Sequence, residues 1–382
     1  MVMLVSQVHL SNWKNFRSCD VDLSGRTFIV GANASGKSNF LDVFRFLHDI
    51  TKVGGGLQMA VASRGGMRKV RCLAACQDTS VEIGVVFRES VDGPVVWTYN
   101  LAFNSVENDE LKNKEVCVVK EFVQRGEEVI LHRTSDSGED VESLTYTYLE
   151  QGASNLKFRE LKNFFEDIEY LNLIPQLLRE SSLVPALAAE DYFGRDFLQR
   201  LSRLDVETVG AYLKTISEVL RQTVPQLEEL RLVYDENGLP HIEMKCRHWR
   251  AYGNRQREDQ LSDGTLRLIG VLFAVLDSKG MVLLEEPETN LQSSVVSRLP
   301  QYISKLMREK NQNAQVLIAT HSYEILSDQG IGSDEVVVLM PSAEGTKVTN
   351  ASSLSDVNDE LSAGFSVADA VIPYTVPYKV NF

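Results

Sequence analysis

Apolar and polar residues alternate from Val5 to Leu10, which predicts a strand. Asp20–Leu23 predicts a short second strand, and Arg26–Val30 a buried one running into a glycine-bearing turn. Phe40, Leu41, Phe44 and Leu47 then recur at helical spacing, so a helix is expected over 39–48. The next stretch, 52–71, holds Gly54, Gly55, Gly56, Gly65 and Gly66 and is read as a mobile loop. Strands resume at Val81–Phe87 and Val95–Phe103.

The middle of the chain changes rhythm. Glu115–Val123, Glu128–Arg133 and Leu144–Leu149 read as strands joined by polar turns such as Asp136-Ser137-Gly138. Leu161, Phe164, Phe165 and Ile168 line one helical face; Val206, Val209, Leu213, Ile216 and Leu220 line another. Both stripes are expected to pack into a core, and neither sustains a coiled-coil heptad. Pro225 ends the second helix, and Leu227–Tyr234 with His241–Cys246 form a hairpin around Asn237-Gly238. Beyond it a helix is expected over 265–277, a buried strand at Met281–Leu284 and a helix over 293–309. A strand at Gln315–Ala319, a short helix after His321 and strands near Val336 and Lys347 complete the pattern. Nearly continuous apolar strands predict a sheet covered on both faces.

Composition narrows the classes. The 382 residues are 43% hydrophobic and 24% charged, the balance of a soluble globular chain of two or three domains. The net charge of −14 disfavours general nucleic-acid binding. DNA contact would have to run through local clusters: Arg64, Arg68, Lys69 and Arg71, or Lys245, Arg247, Arg250, Arg255 and Arg257. Five scattered cysteines read as reduced thiols of a cytoplasmic protein, and Cys72 and Cys76 lack the second pair a zinc site needs. No apolar run reaches the roughly 18 residues of a membrane span. The opening MVMLVSQVHLSN has no signal-peptide pattern, so no membrane partner is expected.

Four short motifs carry chemistry. Gly31-Ala32-Asn33-Ala34-Ser35-Gly36-Lys37-Ser38 fits the phosphate-binding loop. Its backbone N–H groups must wrap a phosphate closely, which excludes side chains at the glycines, and the following helix adds its positive end. Candidate nucleotide-binding residues are Gly31, Asn33, Ser35, Gly36, Lys37, Ser38 and Asn39. Lys37 would neutralise the β- and γ-phosphates, and the Ser38 hydroxyl would ligate Mg²⁺. Met281–Glu288 is an apolar strand ending in carboxylates. One acid there can hold Mg²⁺, and the next can activate water as a general base. Ser262-Asp263-Gly264 opens a helix and offers free N–H groups to a second anion. Thr320-His321-Ser322 places a histidine just past a strand.

The order of phosphate loop, LSDGTLR, EEPE and THS resembles ABC-type ATPases of the SMC, RecF and OLD-nuclease group. Asn12-Trp-Lys-Asn15-Phe16-Arg17 and, more weakly, Ile168–Gln176 add to the resemblance. It implies an α/β fold: an ABC-type head with a P-loop NTPase mixed sheet and a compact α+β insertion in place of a coiled coil. The expected division is 1–104 and 226–350 for the two halves of the head, 105–225 for the insertion and 351–382 for a tail. The family sandwiches two ATP molecules between two protomers, so a homo-oligomer of at least two copies is implied. Gly31, Gly36, Lys37 and Ser38 would act in cis, and Ser262 and Gly264 would reach the γ-phosphate of the opposite protomer. Glu285 stands at the magnesium position, Glu286 at the catalytic base and His321 at the γ-phosphate sensor, with Asn15 to Arg17 near the nucleotide.

The departures are specific. Glu285 replaces the commoner Asp. Ala34 replaces a usual Gly, which a negative φ would tolerate. Asn290-Leu291-Gln292 stands in place of a histidine–proline step, and Gln58 or Gln77 is left for the glutamine loop. Only 61 residues follow His321, without clustered carboxylates, so no nuclease is expected in this chain. The implied role is the ATPase subunit of a multi-protein bacterial system, anti-phage defence being the expected setting, with a separate nuclease or toxin effector. An ATP-gated scaffold that sequesters or activates such an effector, and a DNA repair or recombination ATPase, are the alternatives. A transporter ATPase ranks last, because LSDGTLR matches that signature poorly.

Overall fold

The computed structural model describes residues 3–75, 79–108, 113–136, 140, 142–180, 191–249, 253–309 and 314–375. Cys76, Gln77, the turn residues Ser137 and Gly138, and Arg250 lie outside the described residues.

Fifteen strands are described, in three sheets. The first sheet is antiparallel and contains β1 (Leu4–Trp13), β2 (Phe16–Asp22), β4 (Val81–Arg88), β5 (Val95–Asn108), β6 (Asn113–Arg125) and β7 (Glu128–Thr134), in the order β2-β1-β4-β5-β6-β7. The second contains β3 (Arg26–Gly31), β8 (Glu169–Leu171), β12 (Met281–Glu285), β13 (Gln315–Thr320), β14 (Val336–Ser342) and β15 (Gly345–Asn350), in the order β15-β14-β3-β13-β12-β8. It is parallel except at β15, which pairs antiparallel with β14. The third is the hairpin β9 (Leu227–Tyr234) and β10 (Pro240–Cys246), with β11 (Arg255–Arg257) at its edge.

The period-2 alternation of the second sheet explains the layering. Ile29, Leu283, Leu317 and Leu339 face the helix Lys37–Thr51 and, beyond it, the first sheet. Phe28, Val30, Val282, Leu284 and Ile318 face the opposite way, into the helices Val206–Leu220, Asp263–Asp277 and Leu299–Glu309. Both faces are buried, as near-continuous apolar strands require.

Several expectations change on contact with tertiary structure. The segment 52–71 is not a loose loop: it forms the helices Leu57–Ala62 and Met67–Val70. Arg64 fixes it, binding Asp42 through Nε and Nη2 (2.8 and 2.9 Å) and Asp49 through Nη1 (2.8 Å). Leu144–Leu149 does not form a strand. The N–H groups of Tyr148 and Leu149 donate to the buried Glu121 carboxylate at 2.7 and 3.1 Å, which takes them from any ladder. The expected helix over 293–309 breaks into Ser293–Val296 and Leu299–Glu309, with Pro300 in the first turn of the second, where a missing N–H costs nothing. The boundary expected at 104/105 falls inside β5, while β6 and β7 extend the first sheet and β8 forms an edge of the second.

Candidate functional site

The phosphate loop turns from the buried end of β3 into the helix Lys37–Thr51. Gly31 has no room for a side chain, since a Cβ would sit 2.5 Å from Ser35 Oγ and 2.6 Å from the Leu339 carbonyl. Gly36 adopts φ +104°, and a Cβ there would fall 2.1 Å from Asn15 Nδ2. Asn15 Nδ2 donates to the Ser35 carbonyl (3.0 Å), and Asn39 Nδ2 donates back to Asn15 Oδ1 (2.7 Å). Thr346 on β15 also donates to the Ser35 carbonyl, at 2.7 Å. Ala34 does not take the expected negative φ; it sits at +63°, so the loop keeps a glycine-like backbone at a strain of about 1–2 kcal/mol. Among the described residues the buried Ser35 hydroxyl has no hydrogen-bond partner. Lys37 Nζ folds back to donate to the Gly31 carbonyl (3.0 Å) and lies 3.9 Å from Glu286 Oε1. Burial pushes its pKa down, against the pull of Glu286, Glu288 and Glu285.

The carboxylates come from the end of β12. The Ser38 hydroxyl donates to Glu285 Oε1, and the Tyr170 hydroxyl from β8 meets Oε2. Glu286 sits at φ +44°. Its backbone N–H donates to the Ala319 carbonyl (2.9 Å), and Arg267 Nη1 donates to its carbonyl (3.2 Å). That strained backbone turns its carboxylate back toward Lys37 and His321, whose Nδ1 lies 2.6 Å from Glu286 Oε2. Glu288 is buried and accepts from the Thr320 hydroxyl. Burial, reinforced by Glu286, pushes its pKa up to about 8. Donor atoms of Glu286, Glu288 and His321 lie within 4.8 Å of one another.

The signature segment lies elsewhere on the surface. Ser262 caps the helix Asp263–Asp277, its Oγ accepting from the Thr265 N–H at 3.2 Å. Gly264 is fixed by close approach, since a Cβ would lie 2.7 Å from the Asn290 carbonyl. Arg179 and Gln176 brace the turn through Asp263 (2.5 and 3.0 Å). A cleft of about 550 Å³ opens here between Ser262–Thr265, Thr223 and Asn290–Gln292.

Gly31, Ser35, Gly36, Lys37, Ser38, Asn39, Glu285, Glu286 and His321 therefore converge at the ends of β3, β12 and β13, with Asn33 exposed on the loop. Ser262 and Gly264 line the separate cleft. Arg17 is turned to Glu344 on the β14–β15 turn rather than to the phosphate loop. Gln58 is committed to the carbonyls of Val116 and Thr145 (2.6 and 2.8 Å). The basic clusters are partly spent in ion pairs: Arg64 is buried against Asp42, Lys245 meets Glu228 at 2.7 Å and Arg255 meets Glu243 at 2.6 Å. Sequence reasoning missed Tyr170, Glu288, Thr320 and Thr346. Glu288 had a signal in its place after the paired acids and Thr320 in its place before His321; Tyr170 and Thr346 are delivered by strand pairing and carry none.

Comparison with known proteins fits this geometry. The family model described as "AAA domain, putative AbiEii toxin, Type IV TA system" matches residues 26–327. Among solved structures, an SMC head bound to the C-winged helix domain of ScpA superposes with a TM-score of 0.54 at 15% identity, over 90% of this chain and 97% of that one. An SMC head with an extended coiled coil, bound to the C-terminal domain of ScpA derived from Pyrococcus furiosus, gives 0.51 at 13% identity, over 94% and 100%. These likenesses establish the fold. The glutathione/L-cysteine transport system ATP-binding/permease protein CydC of Escherichia coli (strain K12) is 32% identical over 118 residues, which is 31% of this chain and only 17% of that protein. No described helix is long and apolar enough to cross a membrane. With a phosphate loop, paired acids and a histidine gathered at the strand ends of the second sheet, the chain is an ATPase with the fold of an SMC head, and it belongs to the AAA-domain family described as putative AbiEii toxin.

Proposed function

We propose that the chain hydrolyses Mg-ATP between two of its copies and serves as the ATPase subunit of a multi-protein bacterial system whose effector is a separate nuclease or toxin. The observation that carries this reading is the convergence of Lys37, Ser38, Glu285, Glu286 and His321 at the strand ends of the second sheet, with Ser262 and Gly264 on a separate cleft. A cleft apart from the phosphate loop suits a contact made in trans.

The residues suit the groups. Gly31 and Gly36 leave a cradle that any Cβ would fill, and the unpartnered Ser35 hydroxyl is a ready donor. Ser38 and Glu285 supply hard oxygen donors, the set that suits Mg²⁺. They would hold the ion, which would neutralise phosphate charge. Lys37 Nζ exchanges the Gly31 carbonyl for phosphate oxygens. Glu286 takes the proton of the attacking water, and His321 holds Glu286 in place and senses the γ-phosphate. Lys37, Ser38, Glu285, Glu286 and His321 all come from 1–104 and 226–350; 105–225, which also lends strands to both large sheets, would carry the surface that distinguishes the system. Membership of a family described as a type IV toxin–antitoxin system supports a defence setting, and the scattered cysteines suit a reducing cytoplasm. DNA contact falls to Arg68, Lys69, Arg71, Arg247 and Arg257. A second reading, an ATP-gated scaffold with slow turnover, draws on the net charge of −14, which suits a protein partner better than DNA.

Glu286→Gln tests the base. Turnover should fall by about 10²–10⁴-fold, with an ATP-bound oligomer accumulating in light scattering; wild-type turnover in this variant refutes the assignment. Ser262→Arg should keep nucleotide binding and abolish turnover, and normal turnover there counts against the sandwich.

A further inference from the structure

Tyr170 lies on β8, the short edge strand beside β12. In register it pairs with Leu283, so its side chain leaves the sheet on the face shared by Leu283 and Glu285. Tyr170 and Leu283 pack into the same core layer, which places the ring on that face. A phenol is long enough to reach its diagonal neighbour across a strand pair. Its hydroxyl meets Glu285 Oε2 while Ser38 donates to Oε1, so each carboxylate oxygen holds one hydroxyl.

The ring itself is clamped. The Arg45 guanidinium lies 4.1 Å from the Tyr170 ring centroid and 4.5 Å from that of Tyr192, while the two rings meet at 5.5 Å and 76°. Arg45 belongs to the same helix that carries Ser38. The clamp therefore ties Glu285 to the phosphate-loop helix by a route that does not pass through Ser38. A glutamate at a strand tip has three side-chain torsions to restrain, and ordering so flexible a group needs more than one contact. Ser38 can keep its donation to Glu285 Oε1 while a lone pair of the same oxygen serves as a ligand. Tyr170 supplies the second hydroxyl, which fixes the other carboxylate oxygen. Facing an acceptor-only carboxylate, the phenol is the donor.

We propose that Tyr170 is a positioning residue for the metal site: clamped by Arg45, it holds the Glu285 carboxylate in place for the ion. This rests on the reading of Ser38 and Glu285 as the magnesium pair. Loss of a group that orients a metal ligand typically weakens metal binding by about 10–100-fold. Tyr170→Phe removes one oxygen and keeps the ring against Arg45. With the full chain and a non-hydrolysable ATP analogue, Mn²⁺ binding read by electron paramagnetic resonance should weaken about 10-fold, while metal-free nucleotide affinity stays at the wild-type value. Turnover should recover when Mg²⁺ is raised. Unchanged Mn²⁺ affinity in Tyr170→Phe, with Glu285→Gln weakening it, overturns the role of Tyr170 alone. Unchanged affinity in Glu285→Gln overturns the metal pair itself. Glu285→Asp supplies a background in which the shorter acid falls short of the phenol. Adding Tyr170→Phe there should cost nothing further, and additive losses refute the proposal even if the single phenylalanine variant folds poorly.

Discussion

Glu288 gives a prediction with a definite sign. Its carboxyl is buried, bonded to Thr320 and crowded by Glu286, and its pKa is pushed up from an ordinary 4.5 to about 8. The folded chain thus keeps a proton that the unfolded chain loses above pH 4.5. Stability therefore falls as pH rises across the window from about 4.5 to 8, and the penalty is complete above it. Each unit of displacement is worth about 1.4 kcal/mol, so the full window amounts to a penalty on the order of 3–5 kcal/mol. Glu288→Gln puts a permanently neutral amide in the same volume, with an N–H to face Glu286. At pH 5 the variant and the wild type should melt together. At pH 8.5 the variant should melt higher by several degrees, at roughly 2 °C per kcal/mol for a chain of this size. Calorimetry of the nucleotide-free protein from pH 5 to pH 9 measures the difference, in which the titration of carboxyls remote from Glu286 and Glu288 cancels. A gap that stays constant across the range refutes the argument, and a gap that widens toward acid reverses its sign.

Three further outcomes follow from burial and backbone geometry. Arg64→Met removes the guanidinium that, with Lys14, overrides the burial of Asp42 and holds its carboxyl below the ordinary range; Lys14 and Lys52 stay on Asp42 and Asp49, so urea unfolding should show a loss of about 1–3 kcal/mol, below that of an unpaired buried charge. Phe165→Ala removes a fully buried ring packed on Phe87 (5.6 Å) and Tyr99 (5.8 Å) and should lose about 3–5 kcal/mol in the same assay. Gly36→Ala drives a Cβ into Asn15 at φ +104° and should abolish the rise in melting temperature produced by ATP; an undiminished rise shows that the cradle does not need this glycine.

Much of the head was legible because its signals are local. Gly31–Ser38 announces its loop by spacing, and Phe40, Leu41, Phe44 and Leu47 announce the helix behind it. Glu286 and His321 could be named because each ends an apolar strand. Contacts assembled across the chain were hidden. Tyr170 reaches Glu285 only because β8 pairs with β12, and Thr346 reaches Ser35 from 311 residues away. Arg64 looked like a surface cation because sequence alone does not reveal that Asp42 and Asp49 enclose it. Leu144–Leu149 has a strand's apolar content, but Glu121 captures its N–H groups first. Ala34 was misjudged at the backbone, where the loop's geometry outweighs the preference of the residue.

The strand order of the second sheet has a consequence for how the protein is made. β3 is flanked by β13 and β14, which begin 289 and 310 residues after it in the chain. Neighbours so distant make closure slow and late, because loop entropy must be overcome before pairing rewards it. The first sheet has no such delay, since β1, β2 and β4–β7 are all complete by Thr134. During synthesis, at about 5–20 residues per second, the antiparallel sheet can form while the strand beneath the phosphate loop waits unpaired. A ribosome that stalls before β14 releases a chain with every glycine of the loop present and no cradle for them to line. Competence to bind nucleotide therefore reports that synthesis has passed Ser342, and ATP would act on the newly made chain as a late stabiliser of the finished sheet.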